Sequence, residues 1–288
     1  MPTVVGESVV IRVLNTKAGM KPLDQLGFSP RDLGLMNEML DKSCGLVLVT
    51  GPTGSGKSTT LYSCLKQLIT KNVNIITVED PVEYRIGGIE QVQVKADIGY
   101  TFGKALRQIL RHDPDAILIG EIRDQETAEI AIKSALTGHI VLSTLHTNNA
   151  VGAITRLRDM GILSYLLSST LLGAQAQRLI RTNCLNCMDE EPADANMRRV
   201  MGVGIDELFM RGRGCDDCNG TGYKGRTVVY ELLAMTPKLQ EKITAGATAE
   251  VMQAQALDDG MVPLTKHALE LARSYKTSLS EAYRVRLD

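Results

Sequence analysis

GPTGSGKS, residues 51–58, is the stretch whose reading decides the fold. It fits the pattern G-x-x-x-x-G-K-[S/T], and that spacing has a physical reason. Gly51, Gly54 and Gly56 let the backbone curl, so that successive N–H groups point inward toward phosphate oxygens. A helix leaving the loop turns the positive end of its dipole to the same oxygens. Lys57 supplies a cation between β- and γ-phosphates, and the Ser58 hydroxyl ligates magnesium. The expected nucleotide contacts are Gly51, Pro52, Thr53, Gly54, Ser55, Gly56, Lys57, Ser58 and Thr59, with ATP and magnesium as the ligands.

The flanks suit this reading. CGLVLVT at 44–50 is an apolar run that reads as a buried parallel strand, and 58–69 reads as a helix. Upstream, Ser29-Pro30 is an N-cap followed by proline at the first helical position of a helix over 29–41. Downstream, strands are expected at 74–78, 116–119 and 140–144, and helices at 102–111, 125–136, 150–160 and 165–180. Alternating strands and helices imply a parallel sheet with right-handed crossovers. The expected class is α/β: a RecA-like P-loop NTPase core, a small four-cysteine zinc-binding lobe and C-terminal helices. The corresponding divisions are 1–20 as the remnant of a preceding domain and linker, 21–181 as the ATPase core, 182–230 as the lobe and 231–288 as the helical region. ESVVIRVL at 7–14 reads as a strand with no partner upstream, so the chain is expected to begin inside a larger protein.

Composition narrows the partners. Hydrophobic residues make up 44% and aromatics only 4%, so the core must be aliphatic. A net charge of −1 announces no basic face for nucleic acid, and none is expected as a partner. No run of 18 apolar residues and no signal peptide is present, so the expected compartment is the cytoplasm.

Hydrolysis needs one carboxylate near the attacking water and another near magnesium, at the carboxyl ends of strands next to the loop. The strand at 74–78 delivers Glu79-Asp80, and that at 116–119 delivers Gly120-Glu121. Gly120 stands where an aspartate is usual in such a strand, so Glu79 is the candidate for the missing carboxylate; the alternative is that Glu79, Asp80 and Glu83 are solvated loop charges. His146 follows a strand on the nucleotide side, and His139 opens the same strand. Both are candidates for sensing the γ-phosphate, against ordinary structural hydrogen bonding.

Cys184-x-x-Cys187 and Cys215-x-x-Cys218 bring four thiolates together as structural zinc prefers. Redox and iron–sulfur roles are the alternatives. Cys44 and Cys64 read as buried thiols.

Four ordered motifs now carry a resemblance: GPTGSGKSTTLY at 51–62, VEDPVEY at 78–84, ILIGEIRDQETAEIA at 117–131 and TGHIVLSTLHTN at 137–148. Together they resemble the secretion ATPase superfamily, in particular the motors of type II secretion (GspE-like) and type IV pilus assembly (PilB-like), over about residues 9–233. The resemblance implies that Glu79 lies in an aspartate box and acts as, or positions, the general base. It implies that Glu121 lies in an atypical Walker B strand and holds magnesium through water, and that 139–146 is a histidine box. It implies a zinc lobe, which retraction members lack. AVGAITRLRDMGI at 150–162 and AQRLIRTNC at 176–184 look closer to secretion than to pilus members. The implied function is ATP hydrolysis powering assembly of a pseudopilus, with pilus assembly as runner-up and a nucleic-acid-transfer motor as a weaker third reading.

In such a family each nucleotide lies between domains of a homo-hexamer, and an arginine reaches it. Arg12 is the candidate finger, with an exposed strand arginine as the alternative; Arg107, Arg111 and Arg123 are weaker candidates, and Arg123 has a carboxylate nearby to pair with. The short start implies a monomeric or weakly associated, slow form. The intact protein is expected to attach peripherally to the inner membrane through partner proteins of the machinery.

Overall fold

The computed structural model describes residues 2–9, 21–192 and 194–287. Most of the strand expected at 7–14, with Arg12, lies outside these residues. Pro2–Thr3 (β1) and Gly6–Glu7 (β2) form a small antiparallel pair. Ser29 caps Pro30–Leu40 (α1), its side chain accepting the Asp32 N–H. Gly45–Thr50 (β3) enters the glycine-rich loop and Lys57–Ile69 (α2) leaves it. Then come Ile75–Glu79 (β4), Glu90–Gln93 (β5), Phe102–Ile109 (α3), Ala116–Ile119 (β6), Gln125–Leu136 (α4), Ile140–Leu145 (β7) and Ala150–Asp159 (α5). Asp124 and Asn149 cap α4 and α5 through their side chains.

The helix expected at 165–180 is corrected. Ser164–Thr170 (α6) is followed directly by Leu171–Asn183 (β8), a strand of 13 residues. Leu, Ala and Gln favour helix by intrinsic propensity, but hydrogen-bonded strands on both sides override it. β8 pairs parallel with β3 on one side. On the other it pairs antiparallel with Tyr223–Ala234 (β11). Between these two strands lie Met188–Glu190 (β9), Ala195–Met201 (α7) and Met210–Gly212 (β10). The expected lobe border at 230 therefore falls inside a strand of the main sheet. The chain closes with Pro237–Thr244 (α8), Ala249–Asp258 (α9), Leu264–Arg273 (α10) and Leu279–Leu287 (α11), as the helical reading of this stretch expects.

The seven-stranded sheet has the order β11-β8-β3-β7-β6-β4-β5, parallel except for β11. Alternate residues of its buried strands feed two aliphatic cores, as the two-residue period of a strand requires. Val47, Val49, Leu118 and Leu142 pack with Met36, Leu61 and Leu65 from α1 and α2. Leu46, Leu48, Ile117 and Val141 pack on the other face with Leu106, Ile132, Ile154 and the helices beyond β11. Those last helices are tied to the core by Glu231, which is 4% exposed. Its carboxylate accepts the N–H of Ala150 at 2.8 Å and of Leu264 at 3.1 Å, the first residues of α5 and α10.

Gly173 sits where β8 passes closest to its surroundings. A Cβ there would lie 2.5 Å from Met39 Cε and 2.7 Å from the Leu233 carbonyl oxygen of β11. The side chain can yield but the backbone oxygen cannot. Gly173→Ala is expected to cost about 1–3 kcal/mol by overpacking, read as a lower urea midpoint at unchanged m-value.

Candidate active site

The loop curls because three of its glycines adopt positive φ: Gly51 at 143°, Gly54 at 80° and Gly56 at 89°. Gly51 is also confined, since a Cβ on it would lie 2.4 Å from the Gln177 carbonyl oxygen of β8. The Gln177 side chain, fully buried, donates to the Ser55 carbonyl at 2.8 Å and accepts from Thr60 Oγ1 at 2.9 Å. The loop is thus moored to β8 from both its first turn and the helix behind it. Lys57 folds over the loop and donates to the carbonyls of Gly51 at 2.8 Å and Pro52 at 3.0 Å. Burial, aided by the Arg178 charge and opposed by Glu121, holds the Lys57 ammonium below the usual lysine range.

Thr53, Gly54, Gly56, Lys57, Ser58 and Thr59 line a cavity of roughly 630 Å³. Glu79, Glu121 and His146 line the same cavity. Gly51 and Ser55 are buried behind the loop surface, and Pro52 is exposed. The carboxylates do not come from strands adjoining β3: β6 is two places away and β4 three, with β7 between. All these strands nevertheless end on the same side, because the sheet is parallel there. Glu121 pairs with Arg123, which raises the already high guanidinium pKa, and lies 3.5 Å from His146 Nε2. Glu79 is 4% exposed. It accepts hydrogen bonds from the Tyr62 hydroxyl, from Thr77 Oγ1 at 2.7 Å and from Gln91 Nε2 at 3.0 Å. Solvated loop charge does not describe it.

His139 lies elsewhere. Its carbonyl accepts the Gly45 N–H at the amino end of β3, and its Nδ1 donates to the Ser134 carbonyl at 3.0 Å. It does not line the cavity, and these are ordinary structural hydrogen bonds. Arg107 pairs with Glu126 at 2.6 Å, and neither it nor Arg111 lines the cavity. Arg123 does, already engaged by Glu121.

Tyr62, Gln177 and Arg226 were not legible as site residues. Arg226, on β11, lines both this cavity and an adjoining one of roughly 310 Å³ that Gly56, Thr59 and Leu179 share. Gln177 and Leu179 belong to the stretch read as helix, where the alternation Gly-Ala-Gln-Ala-Gln at 173–177 was the strand signal.

The four cysteines Cys184, Cys187, Cys215 and Cys218 converge, their sulfurs all within 4.8 Å of one another. The Cys184–Cys215 and Cys187–Cys218 separations are 3.8 Å, and Cys215–Cys218 is 3.7 Å. Zinc bound tetrahedrally at about 2.3 Å from each sulfur requires edges of about 3.8 Å, so the four sulfurs fit that ion. Burial pushes the Cys218 thiol up, but the N–H groups of Cys215 and Gly222 and the neighbouring cysteines outweigh it and bring it down to about 6. Gly214 is needed because the chain crosses itself here: a Cβ on it would lie 2.5 Å from the Gly220 carbonyl oxygen.

Comparison with known proteins agrees with this geometry. The family model described as "Type II/IV secretion system protein" matches residues 1–284. The chain is 45% identical over 287 residues to type II secretion system protein E of Aeromonas hydrophila, covering 99% of this chain and 57% of that protein. It is 44% identical over 285 residues to type IV pilus assembly ATPase PilB of Thermus thermophilus, covering 98% of this chain and 32% of that one. Among solved structures, the pilus retraction motor PilT with bound ADP superposes with a TM-score of 0.71 at 31% identity, covering 96% of this chain and 69% of PilT. The chain thus spans about half the length of the first type II secretion relatives it matches.

Structural zinc contributes folding free energy of about 10–16 kcal/mol in isolated finger peptides. Cys184→Ser, which removes one of the four sulfurs that fit zinc, is expected to take up no zinc and to open residues 182–225 to limited proteolysis while nucleotide affinity stays within about twofold. Native zinc content by elemental analysis of the variant would contradict the four-sulfur site.

Proposed function

The chain belongs to the type II/IV secretion system protein family, and from that premise we propose that it binds ATP with magnesium at 51–58 and hydrolyses it to drive assembly of a pseudopilus for type II protein secretion. One observation carries the reading: the glycine-rich loop, Lys57, two carboxylates and His146 all line one cavity. The amides from Gly54 to Thr59 and the start of α2 would cradle the β- and γ-phosphates. Lys57 would exchange its contacts with the Gly51 and Pro52 carbonyls for phosphate oxygens. The adjoining cavity beside Thr59 and Leu179 has room for the nucleoside.

Ser58 and Glu121 are the oxygen donors suited to magnesium, a hard cation that takes such ligands and neutralises charge developing on the phosphates. Glu79 orients the attacking water and takes its proton, or positions the group that does. His146, 3.5 Å from Glu121, would sense the γ-phosphate. Arg12 is the proposed finger from the preceding domain, outside the described residues. Arg226 adds a further cation to the cavity lining.

The intact protein would work as a homo-hexamer at the cytoplasmic face of the inner membrane, attached through partner proteins. No helix among the described residues is long and apolar enough to cross a membrane. The four-sulfur cluster supports a zinc-bearing secretion or assembly motor. Similarity to a pilus assembly ATPase favours type IV pilus assembly as the second reading.

Lys57→Ala is expected to weaken Mg-ATP binding at least tenfold and to abolish hydrolysis. Glu121→Gln and Glu79→Gln should each retain nucleotide affinity but lower single-turnover hydrolysis by about 10²–10⁴-fold, the range for a lost acid–base or metal-orienting group. Hydrolysis at the wild-type rate in Glu121→Gln would remove that residue from the mechanism.

A further inference from the structure

Glu79 stands apart from the other carboxylates of the cavity because protein donors, not solvent, surround it. Thr77 belongs to its own strand, Gln91 to the neighbouring β5, and Tyr62 to α2. Thr77 and Gln91 both donate to Oε1, while Tyr62 alone donates to Oε2. A carboxylate has about four acceptor sites, so three donors leave one, and it lies on the oxygen that Tyr62 holds.

Tyr62 itself is 1% exposed, its ring set edge-on to Tyr84 with centroids 5.9 Å apart. Burial and the Glu79 carboxylate push its hydroxyl above the usual tyrosine range, against the opposing pull of the Glu83 and Tyr84 backbone N–H groups. The phenol therefore remains a donor throughout the pH range of an assay. Its position on α2 matters as well. Lys57 and Ser58 are the first residues of that helix, and Tyr62 follows just over one turn later. Phosphate grip and carboxylate orientation thus depend on one rigid element.

We propose that Tyr62 is the positioning residue for Glu79, holding Oε2 so that its last acceptor site faces the water that attacks the γ-phosphate. This rests on the reading of Glu79 as the group that orients that water. Thr77 and Gln91 hold the other oxygen and prevent the carboxylate from rotating about its terminal bond. Because the hold comes from α2, a nucleotide that seats on Lys57 and Ser58 finds the carboxylate already aimed.

The test is a double-mutant cycle in the full chain, with wild type, Tyr62→Phe, Glu79→Gln and the double variant. Single-turnover hydrolysis under excess protein and the affinity for a fluorescent ATP analogue are measured for each. Tyr62→Phe keeps the ring and its packing. It is expected to lower the hydrolysis rate roughly ten- to hundredfold while affinity stays within about twofold, and to have less than about a twofold effect on Glu79→Gln. A general folding defect would instead appear on both backgrounds. The proposal is overturned if Tyr62→Phe hydrolyses at the wild-type rate, if it costs the same factor with and without Glu79, or if it acts on affinity alone. Glu79→Gln at the wild-type rate would instead remove the underlying reading of Glu79, whatever Tyr62→Phe does.

Discussion

The site depends on the mooring of the phosphate loop to β8. Within the curled loop the Ser55 N–H donates to the Pro52 carbonyl at 3.2 Å and Lys57 donates to the carbonyls of Gly51 and Pro52, which does not by itself anchor the loop to the sheet. Here the shape is held from behind. Gln177 clasps the Ser55 carbonyl with one end of its amide and Thr60 with the other, and its own backbone oxygen leaves no room for a side chain at Gly51. Gln175 donates to the Gln177 oxygen at 2.9 Å, which keeps the amide from turning over. Leaving such a buried amide unsatisfied costs about 1–3 kcal/mol, so the clasp stabilises one loop conformation before any ligand arrives.

From that mooring, charge is arranged in layers. Lys57, Arg123 and Arg226 face the cavity together with Glu79, Asp80, Glu83 and Glu121. Protein groups already engage the two carboxylates that matter most: Arg123 on Glu121, and three neutral donors on Glu79. On the proposed reading, a charged partner near Glu121 can yield to a cation, while neutral donors leave the Glu79 carboxylate available to the attacking water. Lys57, held below its ordinary pKa by burial, gains most from a polyanion that restores a favourable field around it.

Much of this was legible in the sequence, and the limits have physical causes. The loop, the strand–loop–helix context and the cap at Ser29 are local features, read from a few adjacent residues. The cysteine pairs carry their geometry in their spacing. What was missed is long-range. Leu171–Asn183 has helix-favouring composition and becomes a strand only because β3 and β11 lie on either side of it. That one misreading hid Gln177 and Leu179. Tyr62 falls within the helix read over 58–69, and only the tertiary structure brings its hydroxyl to Glu79. His139 and His146 sit at opposite ends of one strand, so the strand direction separates a structural residue from a site residue.

The central claim is that one moored loop grips a triphosphate while carboxylates from β4 and β6 face it. A crystal structure with magnesium and a non-hydrolysable ATP analogue tests this most directly. The account predicts phosphate oxygens about 3 Å from Lys57 Nζ and from the loop amides, with the metal between Ser58 and Glu121 and a water between Glu79 and the γ-phosphate. A nucleotide bound away from residues 51–59, or one with Glu79 and Glu121 turned from its phosphates, would contradict it.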